Sequence, residues 1–182
     1  CPAQSSTNEG QKLMKLLLAV QILCLCCSAV AGDKISITLG PEIAVGEDNG
    51  NLYQCDLRCH PTDPKVMCVT AKHGHHEKET ILFQTEDNGT NWVVTELPKS
   101  GDPDVYYDHK GNAHWMFIDK RKGKKLGYRL SKDRGKTWDT TMEPGPAVDH
   151  PHIVCDRNPR SKFKGSVYIA GRAFRGGIVV TR

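Results

Sequence analysis

The sequence predicts an all-β fold made of four-stranded antiparallel sheets that repeat along the chain. The motif Ser/Thr-x-Asp-x-Gly-x-x-Trp occurs twice, as TEDNGTNW at 85–92 and SKDRGKTW at 131–138, with its aspartates 46 residues apart. Short runs rich in β-branched and aromatic residues, bounded by turn residues, fill the intervals around the motifs. A period of about 40–50 residues with four strands in each unit is typical of the blades of a β-propeller.

The first predicted unit covers about 40–98. Its strands are expected at 42–47, 65–72, 80–85 and 92–97. The stretch 48–64, DNGNLYQCDLRCHPTDP, is expected to be a long loop between the first and second strands. Loops of this length are often functional.

The second unit is expected over 102–143 and an incomplete third unit over 149–182. The second has predicted strands at 104–108, 113–119 and 126–131 and a short fourth strand opened by Trp138, and Pro144, Gly145 and Pro146 close it. The third has predicted strands at 152–156, 166–171 and 177–182. Closed propellers have about four to eight blades, so we expect this chain to be the N-terminal part of a longer protein.

Each motif is predicted to form a tight hairpin between the third and fourth strands of its unit. The glycine permits a left-handed backbone, the aspartate accepts hydrogen bonds from turn amides with help from the Ser or Thr hydroxyl, and the tryptophan pins the turn against its sheet. These structural residues are Thr85, Asp87, Gly89, Trp92, Ser131, Asp133, Gly135 and Trp138. The first motif also contains the sequon Asn88-Gly89-Thr90, which makes Asn88 a candidate for N-glycosylation.

Residues 14–31, MKLLLAVQILCLCCSAVA, have the pattern of a secretory signal peptide. A lysine precedes an apolar run, and the small residues Ala29-Val30-Ala31 form a typical cleavage site. The run is shorter than the roughly 20 residues of a membrane span. We therefore expect a secreted, extracellular protein with no membrane span, and residues 1–13 are expected to be non-native upstream translation. The net charge of +4 is mild, and we predict no nucleic-acid partner.

Four cysteines remain after removal of the predicted signal peptide. They are Cys55, Cys59, Cys68 and Cys155. An even number in an oxidising compartment predicts disulfides, with three pairings open. A zinc site at Cys55 and Cys59 is the alternative, but no companion Cys-x-x-Cys supports it, and we predict neither a metal nor a cofactor.

The paired motifs resemble the Asp-boxes, or BNR repeats, of secreted sialidase-like β-propellers. DPDVYYDHKGNAHWMFID and DHPHIVCDRNPRSKFKGSVYIAG also resemble the first two strands of blades in such proteins, and the resemblance covers about 40–182. It implies about six blades in the full protein, with the Asp-boxes on the rim opposite the substrate face. It also implies an exo-alpha-sialidase type of glycoside hydrolase that acts on terminal sugars of a glycan or glycoconjugate, with an arginine triad, an Asp acid/base and a Tyr–Glu pair. The early Arg-Ile-Pro or Arg-Leu-Pro of the family is absent, and GPEIAV stands in its place.

The candidate site residues follow from the expectation that inner strands start beside the central channel. The catalytic candidates are Asp102, Asp104 and Asp149, because clustered carboxylates suit acid–base chemistry. The substrate-binding candidates are Glu42, His150, His152 and Arg172. The alternatives are that the aspartates cap turns beside prolines and that Arg172 is a surface residue. For the whole protein, the alternative is a non-catalytic extracellular propeller that binds glycans or proteins.

Overall fold

The computed structural model describes residues 40–45, 52–74, 79–121 and 123–182. The chain divides into two compact units, Cys1–Pro41 and Glu42–Arg182. Only Gly40 and Pro41 of the first unit are described, so the predicted upstream segment and signal peptide lie outside the described residues. Within the described residues the second unit contains strands and no helix.

Eleven strands form three antiparallel sheets that follow one another along the chain. The first sheet consists of β1 (Leu52–Cys59), β2 (Met67–His73), β3 (Glu79–Thr85) and β4 (Val93–Leu97). The second consists of β5 (Ser100–Tyr107), β6 (Ala113–Asp119), β7 (Lys125–Ser131) and β8 (Met142–Pro146). The third consists of β9 (Asp149–Cys155), β10 (Val167–Arg172) and β11 (Ile178–Thr181). Each sheet is a meander in chain order, which confirms the predicted all-β fold of antiparallel sheets.

The first strand of the first sheet is not where the sequence predicted it. No strand is present over Glu42–Val45, and 46–51 lie outside the described residues. Instead β1 lies at Leu52–Cys59, inside the stretch that was expected to be a loop. The prediction was wrong because the turn-rich flanks DNGN and HPTDP were read together with QCDLRC as one loop. That segment alternates polar and apolar residues, and its backbone pairs along β2 from Leu52 to Cys59.

The fourth strand of the second sheet also differs from its prediction. β8 begins at Met142 rather than directly after Trp138, and it includes the Pro-Gly-Pro that was expected to end the unit. Pro146 pairs with Lys125 at the edge of the sheet. A proline is tolerated there because an edge strand has one side without ladder hydrogen bonds.

Two apolar clusters hold the three sheets together. The first joins sheets one and two through Val66, Cys68, Leu82, Leu97, Val105, Tyr107, Ala113, Trp115 and Phe117, with Trp138 packed against it. The second joins sheets two and three through Met116, Leu126, Val148, Ile153 and Ile169. In β6, Ala113, Trp115 and Phe117 belong to the first cluster and Met116 to the second, and every residue of that strand is buried.

The first strands of the three sheets run in the same direction, so the sheets have two distinct ends. We call the end where β1, β5 and β9 begin the leading end, and the end where they finish the trailing end. Because neighbouring strands are antiparallel, β3 and β7 also finish at the trailing end. The two motif turns therefore lie at the end opposite the starts of the first strands.

Candidate functional site

Three residues at the leading end occupy equivalent places in β1, β5 and β9. Gln54, Asp102 and His150 have positive φ values of 53°, 48° and 47°, and successive members are 48 residues apart in the sequence. The register of each first strand shifts at this point. A left-handed backbone costs a non-glycine residue about 1–3 kcal/mol, and such strain concentrates at functional sites. We call these three residues the leading-end triplet.

Side chains of the triplet meet neighbours from other strands. The Gln54 Nε2 and His150 Nδ1 atoms are 3.2 Å apart, which brings β1 close to β9. The Lys72 Nζ donates to Asp102 Oδ1 at 2.8 Å. Burial alone would lower the pKa of Lys72, but the hydrogen bond and the charge of Asp102 raise it overall. Lys72 therefore stays protonated and keeps a positive charge beside the Asp102 carboxylate.

Asp149 and Arg172 form an ion pair beside the triplet. The Arg172 Nε donates to Asp149 Oδ2 at 2.9 Å, and its Nη2 contacts the same oxygen. The hydrogen bonds from Arg172 lower the pKa of Asp149. A predicted catalytic carboxylate and a predicted substrate-binding guanidinium thus neutralise each other in this structure.

Asp104 lies two residues further into β5 and is fully buried. Its carboxylate accepts the backbone N–H of Val105 at 2.8 Å and that of Ile153 at 3.0 Å. The Arg58 Nη2 donates to it at 3.3 Å, and the His152 Nδ1 lies 3.4 Å away. Burial raises the pKa of Asp104, although the Ile153 amide and Arg58 oppose the effect. Asp104 therefore ties the first strands of all three sheets together.

Two guanidinium groups lie against the ring of Tyr106, which follows Asp104 in β5. The Tyr106 ring has the Arg157 guanidinium 4.5 Å and the Arg58 guanidinium 5.8 Å from its centroid. The Arg157 Nη2 also donates to the Tyr106 hydroxyl at 2.7 Å. Cation–π contacts of this kind hold both guanidinium groups in place.

The first motif turn is held by its own side chains at the trailing end. The Thr85 hydroxyl donates to Asp87 Oδ1 at 2.8 Å and accepts the Gly89 N–H at 3.0 Å. Asp87 also accepts the N–H of Asn91 at 2.9 Å. These bonds lower the pKa of Asp87 to about 2. Asn88 is exposed at the tip with φ 61°, and its glycosylation stays a prediction.

The second motif turn repeats this pattern. Ser131 donates to Asp133 Oδ1 at 2.7 Å and accepts the Gly135 N–H at 2.8 Å. Asp133 accepts the backbone N–H and the hydroxyl of Thr137 at 2.9 and 2.6 Å. Burial opposes the effect, but these bonds lower the pKa of Asp133 to about 2. The aspartates therefore have their hydrogen-bonding capacity filled within the turns.

The structure brings most of the predicted site residues to one end and leaves one out. Asp102, Asp149, His150 and Arg172 lie at the leading end, and Asp104 and His152 follow within the same strands. Glu42 does not start a strand. The residue next to it, Ile43, lies 3.0 Å from a Cβ built on Gly89, at the first motif turn. Its place in the site rested on the first strand that the structure corrects.

Sequence reasoning missed Gln54, Lys72 and Arg58. The sequence predicts Gln54 and Arg58 in the long loop and Lys72 at the end of a strand. One signal could have found the first two, because CDLRC, PDVYY and PHIVC recur at 48-residue intervals. That spacing marks three equivalent strands better than their hydrophobicity does.

The four described cysteines are thiols in this structure. Cys55 and Cys59 are exposed in β1, whereas Cys68 and Cys155 are buried. Burial raises the pKa of Cys68 to about 12 against the opposing effect of Tyr107, whose hydroxyl lies 3.0 Å from the sulfur. Burial likewise raises the pKa of Cys155 to about 12. Disulfide formation stays a prediction.

The chain has no significant match to a protein-family model, to a curated protein or to a solved structure. In the described part of the chain, no helix is long and apolar enough to cross a membrane. Within the same residues, no group of three His, Cys, Asp or Glu side chains is arranged to hold a metal ion.

Proposed function

We propose that this chain is part of a secreted, sialidase-like β-propeller that acts as a glycoside hydrolase on terminal sugars of glycans. The observation that carries the proposal is the leading-end triplet: three strained, polar residues at equivalent places in three adjacent strands. Strained non-glycine residues persist where the surrounding structure holds them, and they cluster at ligand sites. The two Asp-box motifs and their turns at the opposite end agree with the same class of fold.

The groups at the leading end suit a polar, hydroxyl-rich ligand. They offer an amide, an imidazole, two carboxylates and two cationic side chains, all at the leading end of the three sheets. In the proposal Arg172 and His150 bind the sugar, because a guanidinium fork matches a sugar carboxylate and an imidazole accepts or donates to hydroxyls. Asp102 and Asp149 supply the carboxylates for acid–base chemistry. Glu42 lies at the other end and has no part in it.

A second function is favoured by one specific observation. Asp102 is paired with Lys72, Asp149 is paired with Arg172, and Asp104 is buried. A catalytic acid needs a carboxyl group that stays protonated near the working pH, and Arg172 holds Asp149 in the opposite state. A non-catalytic propeller that binds glycans through this end is therefore the alternative.

The experiment is hydrolysis of a panel of fluorogenic glycosides, including a sialoside, by the full secreted protein that contains this chain. We expect sugar release that Asp149→Asn reduces by about 10²-fold or more, as for loss of an acid–base group. Asp139→Asn is the matched control, since Asp139 is an exposed aspartate next to the second motif. Sugar release that Asp149→Asn leaves unchanged would remove this residue from the mechanism.

Binding measured on the same samples separates the two functions. The chain is applied to an array of glycans beside Arg172→Gln and the control Arg175→Gln, which removes an exposed charge of the same sign. Binding without hydrolysis, lost only in Arg172→Gln, would establish the non-catalytic alternative. Neither binding nor hydrolysis by a folded chain would contradict both functions.

A further inference from the structure

The fourth strand of the second sheet contains a bulge that the first sheet lacks. In the first sheet, Gln84 and Leu82 pair with Val93 and Thr95, which are two residues apart. At the matching places in the second sheet, the Leu130 carbonyl accepts from the Asp139 N–H, and Tyr128 pairs with Met142, three residues further on. The register shifts again between Tyr128 and Leu126, whose partners Met142 and Gly145 are three residues apart. The strand is therefore irregular on both sides of Met142. Bulges re-aim side chains and often adjoin binding sites.

Thr141, the residue before Met142, has its hydroxyl within hydrogen-bond distance of two guanidinium groups. The Arg129 Nε donates to Thr141 Oγ1 at 2.9 Å, and the Arg121 Nη2 donates to the same oxygen at 3.2 Å. Arg121 is held in turn by Asp119, whose oxygens accept from its Nε at 3.0 and 3.1 Å. Thr141 therefore fixes the direction of Arg129 without neutralising its charge.

Arg129 has no carboxylate paired with it directly. Arg121 pairs with Asp119, and Lys125 pairs with Glu143 at 2.6 Å. Among the described residues, no carboxylate lies within 4 Å of the Arg129 guanidinium, and its two Nη groups have no hydrogen-bond partner. Burial and the charge of Arg121 lower the pKa of Arg129, and the charge of Asp119 opposes them only in part. A half-buried cation in this state gains stability from an anion that reaches it.

A pocket of about 360 Å³ opens in front of this guanidinium. It is lined by Asp119, Arg121, Arg129, Thr140, Thr141 and Glu143. The volume is in the range of small-ligand sites, which start at roughly 300 Å³. The two carboxylates in the lining are already engaged by Arg121 and Lys125, so Arg129 supplies the unmatched charge.

We propose that this pocket, which we call the outer-strand pocket, binds a single oxyanion group, a sulfate or a carboxylate, through the Nη groups of Arg129. A guanidinium fork offers two parallel N–H donors that match the oxygens of such a group. The site is separate from the leading-end triplet and does not depend on the proposed hydrolase function. Its ligand is a small acidic or sulfated molecule, for which inorganic sulfate is the simplest probe.

The test measures the thermal unfolding midpoint of the full chain against low-millimolar sodium sulfate, with sodium chloride holding the ionic strength constant. Binding to the folded state raises the midpoint in a saturating manner, from which an apparent affinity follows. We expect Arg129→Gln to weaken that affinity about tenfold or more, the equivalent of one charge-assisted hydrogen bond. Arg160→Gln is the matched control, because Arg160 is exposed and its side chain has no described partner.

Two further variants keep the test decisive if Arg129→Gln does not fold. Arg129→Lys keeps the charge but lacks the fork, and Thr141→Val removes the hydroxyl that orients Arg129; each is expected to weaken binding. The same unfolding midpoint is also measured with glucuronate and with neutral glucose. A rise with glucuronate but not with glucose assigns the site to a carboxylate carried by a sugar. Two results would overturn the proposal. In the first, Arg129→Gln and Thr141→Val respond to sulfate and to glucuronate as strongly as the wild type does. In the second, no protein gives a saturating response.

Discussion

The interface between sheets one and two and the interface between sheets two and three use equivalent positions, but they are packed differently at their outer edge. Between sheets one and two, Trp115 packs edge-on against Trp138 of the second motif, with ring centroids 5.4 Å apart. The position of Trp115 in β6 is taken by Ile169 in β10, opposite Ile153. Beside Ile169 the second interface has a cleft of about 460 Å³, lined also by Val167 and Tyr128.

The comparison shows what the motif tryptophan does. The turn at 131–138 follows β7 and sends its indole into the preceding interface, where it completes the packing around Trp115. In the described chain no indole lies in the corresponding cleft beside Ile169. The second motif is therefore part of the packing between two sheets as well as a local turn, whereas Trp92 of the first motif packs against Val69, Ile81 and Phe83 of the first sheet.

The largest expected effect is at the centre of the first interface. Trp115 is fully buried, so Trp115→Ala should lower the free energy of unfolding by about 3–5 kcal/mol through lost burial and a cavity. Ile169→Ala, the matched change beside the cleft, should cost about 2 kcal/mol because part of its surroundings is already open. Urea unfolding of both variants measures the difference. Equal losses would mean that the two interfaces are packed equally well.

A smaller effect distinguishes the two motif turns. Gly135 has φ 97°, and a Cβ there would lie 2.7 Å from the Cys68 sulfur in the core. Gly89 has φ 88°, but its nearest neighbour is Ile43, at 3.0 Å. Gly135→Ala should therefore cost about 1–3 kcal/mol, and Gly89→Ala should cost less because Ile43 can move. The same urea experiment checks the order, and a larger loss in Gly89→Ala would contradict it.

The hydroxyl of Tyr107 connects the first interface to the second turn. It donates to the Arg134 carbonyl at 2.9 Å and lies beside Cys68. Tyr107→Phe keeps the ring and should lower the free energy of unfolding by about 1 kcal/mol. Tyr168→Phe is the control in the third sheet, since the Tyr168 hydroxyl has no hydrogen bond within the described residues. Its removal should leave the free energy of unfolding almost unchanged. Equal losses would rule out a specific role for the Tyr107 hydroxyl.

The smallest expected effect is acid sensitivity of the turns. Asp87 and Asp133 have pKa values lowered to about 2, so the folded state holds their protons more weakly than the unfolded chain does. The stability they contribute is present above the unfolded pKa near 4 and is lost as the pH falls towards 2. Asp87→Asn and Asp133→Asn should each make the melting temperature depend less on pH between about 4 and 2. An unchanged pH profile in both variants would show that the turns do not contribute.

The sequence predicted strands best where both faces of the strand are buried. AHWMFID and TILFQT are apolar and β-rich, and both were predicted as strands where β6 and β3 lie. The motif turns could be placed because glycine, aspartate and tryptophan have local roles that one sequence window displays. By contrast, the alternation in β1 is inverted: Cys55, Leu57 and Cys59 are exposed, and the polar residues between them are half-buried. A pattern that assigns the apolar side to the core therefore does not describe this strand.

The candidate sites needed the tertiary structure for the same reason. Spacing along the chain could suggest Asp102, Asp149 and Arg172, but it could not show that Lys72 neutralises the first or that Arg172 and Asp149 neutralise each other. The outer-strand pocket had no sequence signal, because its lining residues come together only through the pairing of β7 with β8 and the turn after β6.

By itself the sequence determined the strand-rich character of the chain, its period and the two turns, because these depend on interactions within a few residues. The tertiary structure decided which first strands meet, which carboxylates are paired with cations and which guanidinium is left unbalanced. Those outcomes depend on contacts between residues some 20 to 100 positions apart, from Asp149 with Arg172 to Gln54 with His150. Such contacts form only when whole sheets pack, so no local pattern records them.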